Sequence, residues 1–235
     1  MADPIAKAVV FDCDGVLSDN GSSWQMLHNH FGTGAEDDGS HQNYLNMFLD
    51  GEISEEEFVD HDIRLWRGAQ AEIHRDDIMR CYSGVGLMNG SREVIENLRE
   101  RGVFVAIISS GVDLFVGAIA SMLKVDDWVA NGFEWDNEGW LVSGLPTRVY
   151  SHNKGLMVEK LARINGFESS EIVSVGDSGT DLSMLIGESR FIGFNPTRNR
   201  AKKAFEEAGV PIVLGKDLRA IWPHLFPGEE ELQIK

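Results

Sequence analysis

The chain has 235 residues, 43% of them hydrophobic, and its 38 acidic and 21 basic residues give a formal net charge of −17. This length and hydrophobic content are typical of a globular protein with one substantial core and an inserted subdomain. The negative charge disfavours nucleic acid and anionic membrane surfaces as partners, and an anionic substrate would need local positive charge. A cytoplasmic location is expected, because no apolar run reaches the length of a membrane span and no secretory signal is present.

The first predicted element is a short buried strand that ends in an acidic turn. Residues 9–11 are apolar and lead directly into Asp12 and Asp14, after which Gly15 allows a turn. Because alternate residues of an extended chain point the same way, the two carboxylates can share one cation. One of them can then act as a nucleophile and the other as a proton carrier. A calcium loop is less suitable, because it needs a third oxygen ligand at Val16.

The next stretch predicts helices without an intervening strand. Ser54 followed by Glu57 matches an N-terminal capping box, and the apolar residues after it recur at helical spacing. The predicted helices cover residues 22–31, 41–49, 54–66 and 75–82. Cys13 and Cys81 have neither disulfide nor metal-ligand spacing and are expected to be reduced.

From residue 85 onward, predicted helices and strands alternate. The predicted strands cover residues 103–108, 128–130, 172–175, 191–194 and 211–214, with a hairpin at 133–135 and 140–142. The predicted helices cover residues 91–101 and 112–123, a segment striped by Met157, Leu161 and Ile164, and a segment striped by Leu182, Leu185 and Ile186. This pattern predicts an α/β fold, a doubly wound and mostly parallel sheet with a small helical cap inserted after the first strand. The expected division is a core of residues 1–19 and 86–235 and a cap of residues 20–85.

Three of the predicted strands end in polar residues. Ligands bind beyond the carboxyl ends of the strands in an open parallel sheet, so these residues are expected to converge. They are Asp12 and Asp14 after the first strand, Ser109, Ser110 and Gly111 after the second, and Asp177 and Asp181 after the third. Magnesium prefers such oxygen ligands, and Asp12, Asp177 and the carbonyl of Asp14 can supply them, with Asp181 acting through water.

A phosphate group can be bound at the same rim. The hydroxyl of Ser109, the N–H groups of Ser110 and Gly111, and the ammonium group of Lys154 at a predicted helix start are suited to hold its oxygens. Each motif by itself is more often a turn, a helix cap or a solvated charge. All of them together, each at a strand or helix end, predict phosphoryl transfer with Asp12 attacking phosphorus.

The chain resembles the haloacid dehalogenase superfamily in the order and spacing of four motifs. These are Asp-x-Asp-Gly from Asp12, the serine Ser109 after a strand, Lys154, and Gly-Asp-x-x-x-Asp from Gly176 to Asp181. Its phosphoserine-phosphatase-like branch is the most similar. The features that the chain shares with this branch are the helical insertion, the sequence from Ile108 to Gly111, and Ala130-Asn131-Gly132 before a hairpin. The resemblance implies that Asp12 is the nucleophile, that Asp14 is a general acid and then a base, and that Mg²⁺ is the cofactor. It also implies that Ser109 and Lys154 bind phosphate and that Asp177 is a metal ligand.

The substrate is less defined than the reaction. Phosphoserine phosphatases contact the amino acid through a glutamate soon after the first motif and an arginine in the cap. In this chain the stretch from Asn20 to Trp24 contains no glutamate, and the cap has Asp60 where the arginine would be expected. A magnesium-dependent phosphatase of a small phosphorylated metabolite is therefore the leading hypothesis. The alternatives are a phosphomutase or phosphotransferase with the same aspartyl-phosphate, and a noncatalytic binding module. The physiological substrate and the oligomeric state stay open.

Aromatic residues and histidines are frequent in the predicted cap. Trp24, His28, Tyr44 and Trp66 can line a pocket for the leaving group, although side chains at helical spacing usually pack a core. The histidines of this region, which are His28, His30, His41 and His61, show no spacing typical of a metal site. They are expected to have packing or surface roles.

Overall fold

A computed structural model describes residues 6–34, 40–230 and 232. The strands, in chain order, are β1 (Ala8–Phe11), β2 (Phe104–Val112), β3 (Asp127–Asn131), β4 (Phe133–Trp135), β5 (Leu141–Gly144), β6 (Ile172–Gly176), β7 (Arg190–Phe194) and β8 (Ile212–Val213). The α-helices are α1 (Ser23–Phe31), α2 (Ser40–Leu49), α3 (Glu55–Ala69), α4 (Arg75–Cys81), α5 (Ser91–Glu100), α6 (Asp113–Leu123), α7 (Gly155–Asn165), α8 (Asn199–Ala208) and α9 (Trp222–Leu225).

Six strands form one parallel sheet in the order β3-β2-β1-β6-β7-β8. The chain builds outward from β1 through β2 to β3, and later from β6 through β7 to β8 on the other side. The strand order therefore reverses between β1 and β6, where the crevice beyond the carboxyl ends is the expected ligand site of such a sheet. β4 and β5 form a separate antiparallel hairpin. The predicted α/β class with a doubly wound, mostly parallel sheet is confirmed.

Both faces of the sheet are covered, because alternate side chains of each central strand enter different buried clusters. Val9 and Phe11 of β1 pack with Val94 and Leu98 of α5, whereas Val10 packs with residues of α7 and α8 on the opposite face. Apolar side chains on both faces give central strands the continuous hydrophobic runs seen in the sequence. The sheet is thus the middle layer of the core, and the polar residues lie beyond the carboxyl ends of its strands.

The helices of the insertion begin at side-chain caps. Ser22 caps α1 by accepting from Gln25 N, and Ser54 and Glu57 form the predicted capping box at the start of α3. Each cap satisfies backbone N–H groups that have no partner within the helix. The four helices predicted between the first strand and residue 85 are confirmed within one to three residues at their ends.

Two helix predictions need correction. The segment striped by Leu182, Leu185 and Ile186 is a 3₁₀ helix, Gly179–Met184, because its turn is used to bind backbone groups to the Asp181 carboxylate. In α7, Ile164 is 67% exposed and the buried stripe is instead formed by Val158, Leu161 and Ala162. Helix α8 was not predicted, since its face toward the sheet has few large apolar residues besides Phe205.

The inserted helices share a core with the rest of the molecule. Trp66 of α3 is fully buried, and its ring lies 6.1 Å from that of Trp24, 5.9 Å from that of Phe31 and 5.8 Å from that of Phe133 of the hairpin. Trp66 therefore packs a core, as the helical spacing favoured. The division into a core and a cap of residues 20–85 stays a prediction. Within the described residues, no helix has the length and hydropathy needed to cross a membrane.

Candidate active site

The carboxylates predicted to bind metal meet at the reversal point of the sheet. Asp12 follows β1 and donates its backbone N–H to Val175 O of β6 at 2.9 Å, so the two strand ends are held side by side. Ligand oxygens of Asp12, Asp177 and Asp181 all lie within 4.8 Å of one another. The structure thus brings together residues that are about 165 positions apart in the chain, through the parallel pairing of β1 with β6.

Lys154 lies at the N-terminus of α7 and extends into this group of carboxylates. Its Nζ is 2.9 Å from Asp12 Oδ1 and 2.6 Å from Asp181 Oδ1, and only 2% of the lysine side chain is exposed. Burial by itself lowers the pKa of Lys154, but the charges of Asp12 and Asp181 outweigh it and raise that pKa above its ordinary value. The lysine therefore stays positively charged at neutral pH.

The donor set fits a divalent cation. Burial raises the pKa of Asp12 and of Asp177 above the ordinary aspartate value, neighbouring carboxylates raise it further, and Lys154 offsets only part of this. Three carboxylates facing one ammonium group carry two more negative charges than positive ones. A hard cation with oxygen ligands, such as Mg²⁺, would balance them. The residues suited to hold it are Asp177 and Asp12, the latter through the oxygen that does not contact Lys154. Asp181 already binds Lys154 and the turn that follows β6.

The Asp181 carboxylate organises that turn. Its Oδ2 accepts from Asp177 N at 3.1 Å, from Ser178 N at 2.9 Å and from Ser178 Oγ at 2.8 Å. The side chain is fully buried, so these donors compensate for the water that its charge has lost. The sequence-based expectation was a water-mediated metal ligand. In the structure Asp181 anchors the loop that presents Asp177, and the metal role stays a prediction.

Asp14 is held by the first residues of the helical insertion. Asn20 Nδ2 donates to its Oδ1 at 2.7 Å, while Ser23 N and Ser23 Oγ donate to its Oδ2 at 3.0 and 2.7 Å. Three donors fix the carboxylate in one orientation. Sequence reasoning missed Asn20 and Ser23 as partners, although their position a few residues after the acidic turn was a usable signal.

The second strand contributes the Ser109 segment. β2 continues past the predicted end at Ile108 to Val112, with an irregular pairing that turns the backbone at this point. Ser109 Oγ is buried and accepts from Gly111 N at 3.1 Å, and Ser110 O accepts from Trp24 Nε1 at 2.9 Å. The segment lies at the same rim as Asp14. Phosphate binding by Ser109, Ser110 and Gly111 stays a prediction.

Two glycines allow these loops to approach each other. Gly15 has a φ of +75°, and a Cβ there would lie 2.8 Å from Asp177 Oδ2, so the loop after β1 touches the loop after β6 only with glycine in place. A Cβ on Gly111 would lie 2.8 Å from Asp14 Oδ2 and 2.7 Å from Ser23 Oγ. Close packing of the rim therefore depends on both positions.

Asn131, at the end of β3, is a further residue that the sequence did not single out for a role. Its Oδ1 accepts from Arg148 N at 3.0 Å and from Val149 N at 2.9 Å, and its Nδ2 donates to Val149 O at 2.8 Å. The side chain thus replaces a backbone pairing for the loop that leads to Lys154. A buried amide at a strand end, directly before a turn, is the signal that could have identified it.

Replacing Ser23 by alanine is expected to lower both stability and turnover. The change removes the donor to Asp14 and leaves Val112 N, which donates to Ser23 Oγ at 3.1 Å, without an acceptor, at a cost of about 1–3 kcal/mol. If Asp14 has its predicted role as proton carrier, its greater freedom should lower kcat about tenfold, a fraction of what such a group contributes when positioned. Urea unfolding and steady-state kinetics measure the two effects. Ser121→Ala, on the exposed side of α6, is the control, and equal values for both variants would contradict the assigned contacts.

Comparisons with known proteins agree with this fold. Residues 9–185 match the sequence profile of the haloacid dehalogenase-like hydrolases. The chain is 28% identical over 190 residues to a phosphoserine phosphatase of Archaeoglobus fulgidus, which covers 80% of this chain and 52% of that protein. It is 27% identical over 220 residues to a phosphoserine phosphatase of Wolinella succinogenes, which covers 93% of this chain and all of that protein. The chain thus spans about half the length of the first relative.

A solved structure described as a substrate-bound phosphoserine phosphatase complex has the same fold. It superposes with a TM-score of 0.73 at 21% identity, over 94% of this chain and 99% of that one. The chain belongs to the haloacid dehalogenase-like hydrolase family. Within that family it lies in the phosphoserine-phosphatase-like branch, and its enzyme class is that of the phosphatases.

Proposed function

We propose that this protein is a magnesium-dependent phosphomonoester hydrolase that acts on a small phosphorylated metabolite through a phosphorylated Asp12. The observation that carries the proposal is the position of the buried Lys154 between Asp12 and Asp181, beside Asp177, at the reversal point of the sheet. A carboxylate nucleophile can approach a phosphate dianion only where cations reduce the repulsion between them. The rim combines such a nucleophile with a fixed positive charge.

Asp12 and Asp177 are the residues that would hold Mg²⁺, together with the backbone carbonyl of Asp14. When bound, the ion supplies positive charge between the carboxylates and the phosphate oxygens. Lys154 adds a second positive charge beside Asp12 and orients its carboxylate through the 2.9 Å contact. Ser109, Ser110 and Gly111 are the nearby polar groups suited to contact the remaining phosphate oxygens.

Asp14 is suited to move the proton. Protonated, it would donate to the departing oxygen of the substrate, and ionised, it would accept a proton from the water that releases phosphate from Asp12. Asn20 and Ser23 hold its carboxylate in place for both steps. Because these two residues belong to the stretch 20–85, we propose that this stretch is a cap whose seating on the core positions the proton carrier.

The relatives support a substrate of the phosphoserine class without defining it. Asn20 and Ser23 stand in the stretch where phosphoserine phosphatases have a substrate-binding glutamate, and both bind Asp14 instead. Arg67, one of the arginines near Asp60 that could contact a carboxylate, donates to the carbonyls of Leu141 and Val142 in the hairpin. The mutase and noncatalytic alternatives are not favoured, because the relatives are named phosphatases. The cytoplasmic location stays a prediction.

Phosphate release from a panel of small phosphomonoesters, L-phosphoserine among them, tests the proposal. We expect release in the presence of Mg²⁺ and its loss after complete chelation with EDTA, with recovery when Mg²⁺ is returned in excess. Loss follows because the rim would then lack the cation that balances its carboxylates and supplies positive charge to the phosphate oxygens. Full activity in EDTA would overturn the metal role. Isomerisation of a sugar phosphate without net release of phosphate would favour the mutase.

A further inference from the structure

A second group of metal-binding side chains lies in the helical insertion. It consists of His28, His41 and Asp62, called here the His–His–Asp cluster. His28 Nε2 is 3.1 Å from Asp62 Oδ2, and His41 Nδ1 is 3.0 Å from Asp62 Oδ1. One ligand atom from each of the three residues lies within 4.8 Å of the other two. The cluster shares no residue with the rim of the sheet.

The cluster is shielded from solvent. His28 is fully buried, Asp62 is 1% exposed and His41 is 7% exposed. The two imidazole rings overlap with centroids 3.7 Å apart, and Trp66 and Phe58 pack against them. A buried carboxylate facing two imidazoles is costly to assemble unless each polar atom has a partner. The cluster is therefore a built site, and its remaining polar atoms indicate what it binds.

His28 Nε2 is the atom without a hydrogen bond. Although it lies 3.1 Å from Asp62 Oδ2, the two are not aligned for one, and no other group among the described residues supplies a partner. A proton shared by two atoms lies close to the line between them, whereas a metal bound to both lies to one side of that line. Ligand atoms of a tetrahedral metal site with bonds of about 2.1 Å are about 3.4 Å apart. The 3.1 Å separation of His28 Nε2 from Asp62 Oδ2 is about 0.3 Å shorter than that. His41 Nδ1 is hydrogen-bonded to the other oxygen, Asp62 Oδ1, at 3.0 Å, and would release that proton as a metal binds.

The other nitrogen of His28 has the support that metal-binding histidines usually have. Thr33 Oγ1 lies 2.9 Å from His28 Nδ1 and can accept a hydrogen bond from it. In that tautomer Nε2 carries no proton and is free to bind a metal. In the other tautomer, in which Nδ1 carries no proton, Trp66 Nε1 donates to Nδ1 at 3.3 Å. That contact is long for a hydrogen bond, so its loss costs less than metal–ligand bonds supply. Trp66 thereby becomes a reporter of the protonation state of His28.

We propose that the His–His–Asp cluster binds a borderline divalent transition-metal ion, with Zn²⁺ as the chemically best-suited one. Two neutral imidazoles and one carboxylate are typical ligands of this class of ion, whereas Mg²⁺ prefers oxygen ligands throughout. The three ligands come from α1, α2 and α3. The ion would tie these helices together and stabilise the insertion that carries Ser23 toward Asp14.

Titration of the tag-free, metal-stripped chain with Co²⁺ tests the proposal, since Co²⁺ replaces Zn²⁺ and absorbs visible light. The titration is run in millimolar MgCl₂, so that Mg²⁺ competes for oxygen-rich sites. We expect saturation at one equivalent, an absorption typical of nitrogen ligation in a four- or five-coordinate site, a change in tryptophan emission, and displacement by Zn²⁺. Thermal unfolding with and without Zn²⁺ is the second readout, and bound metal should raise Tm.

Four variants locate the ion. His41→Gln and Asp62→Asn each remove a ligand, and we expect the affinity to fall about 100-fold or more. His30→Gln, an exposed histidine on the same helix as His28, is the matched control and should bind as the wild type does. Asp177→Asn should also keep the absorption, because it changes only the rim.

Three results would overturn the proposal. The first is the absence of the nitrogen-type Co²⁺ absorption in the folded wild-type chain, a result that does not depend on whether a variant folds and that would leave a hydrogen-bonded trio only. The second is unchanged affinity in a folded His41→Gln chain, and the third is loss of the absorption in Asp177→Asn. Activity is not a readout here, so failure of this test is distinct from failure of the phosphatase proposal.

Discussion

Replacing Asp12 by asparagine is expected to lower the rate of phosphate release by about 10⁴-fold or more, because the amide cannot attack phosphorus. The variant should fold, since Lys154 keeps its 2.6 Å contact with Asp181 when the negative charge of Asp12 is removed. Far-ultraviolet circular dichroism and urea unfolding check the fold, and phosphate release at saturating Mg²⁺ checks the rate.

Asp19→Asn is the matched control for this change. Asp19 lies seven residues further along the same segment, is exposed, and pairs with Lys216 at the surface. Its loss should change kcat by less than twofold, since exposed ion pairs contribute little. Residual activity of Asp12→Asn within tenfold of the wild type would mean that another group attacks phosphorus.

Replacing Lys154 by methionine is expected to destabilise the metal-free protein by about 3–5 kcal/mol, the usual cost of removing one partner from a buried ionic group. Asp12 and Asp181 would keep their buried carboxylates without the ammonium group that lies 2.9 and 2.6 Å away. The same change removes the fixed positive charge beside the nucleophile, so phosphate release should fall by about 10²-fold or more. Urea unfolding in EDTA and kinetics in Mg²⁺ measure the two losses.

The stability deficit of Lys154→Met should grow with pH. Without the lysine, the folded-state pKa of Asp12 rises further above the unfolded value of 3.8, so the folded state binds more protons than the unfolded state as pH rises above that value. Stability of the variant therefore falls more steeply over this range than that of the wild type, in which the charged lysine keeps the pKa of Asp12 lower. We expect a larger difference at pH 8 than at pH 5.

Lys160→Met is the control for side-chain loss on the same helix. Lys160 is exposed on α7, and its replacement should leave the free energy of unfolding within about 0.5 kcal/mol of the wild type. A deficit in Lys154→Met that is equally small, or one that shrinks as pH rises, would contradict the placement of Lys154 among buried carboxylates.

The elements of this protein were largely predictable because their signals are local. Continuous apolar runs marked β1, β2 and β6, and Ser54 with Glu57 marked the start of α3, since caps and buried strands depend on a few neighbouring residues. The prediction was wrong where a buried side chain bound nearby backbone groups and outweighed the hydrophobic pattern. The residues after β6 have helical spacing, yet the buried Asp181 carboxylate binds the backbone there and limits it to a 3₁₀ turn.

Candidate site residues at strand ends were predictable for a related reason. Parallel strands place their carboxyl ends at one edge, so polar residues after separate apolar runs must converge. The partners of Asp14 and the links made by Asn131 were not predictable in this way, because they depend on how the insertion and loops pack. The histidines show the limit most clearly: His28, His41 and Asp62 lie on three helices, and their spacing in the chain contains no sign of their contact.

The sequence by itself determined the fold class, the order of the motifs and the residues that end each strand, because hydrophobic periodicity and turn chemistry act over short distances. Only the tertiary structure decided that Lys154 lies between Asp12 and Asp181, that Ser23 holds Asp14, and that two histidines share Asp62. Each of these contacts joins residues from separate elements. Their geometry follows from the packing of side chains in three dimensions, which no periodicity along the chain records.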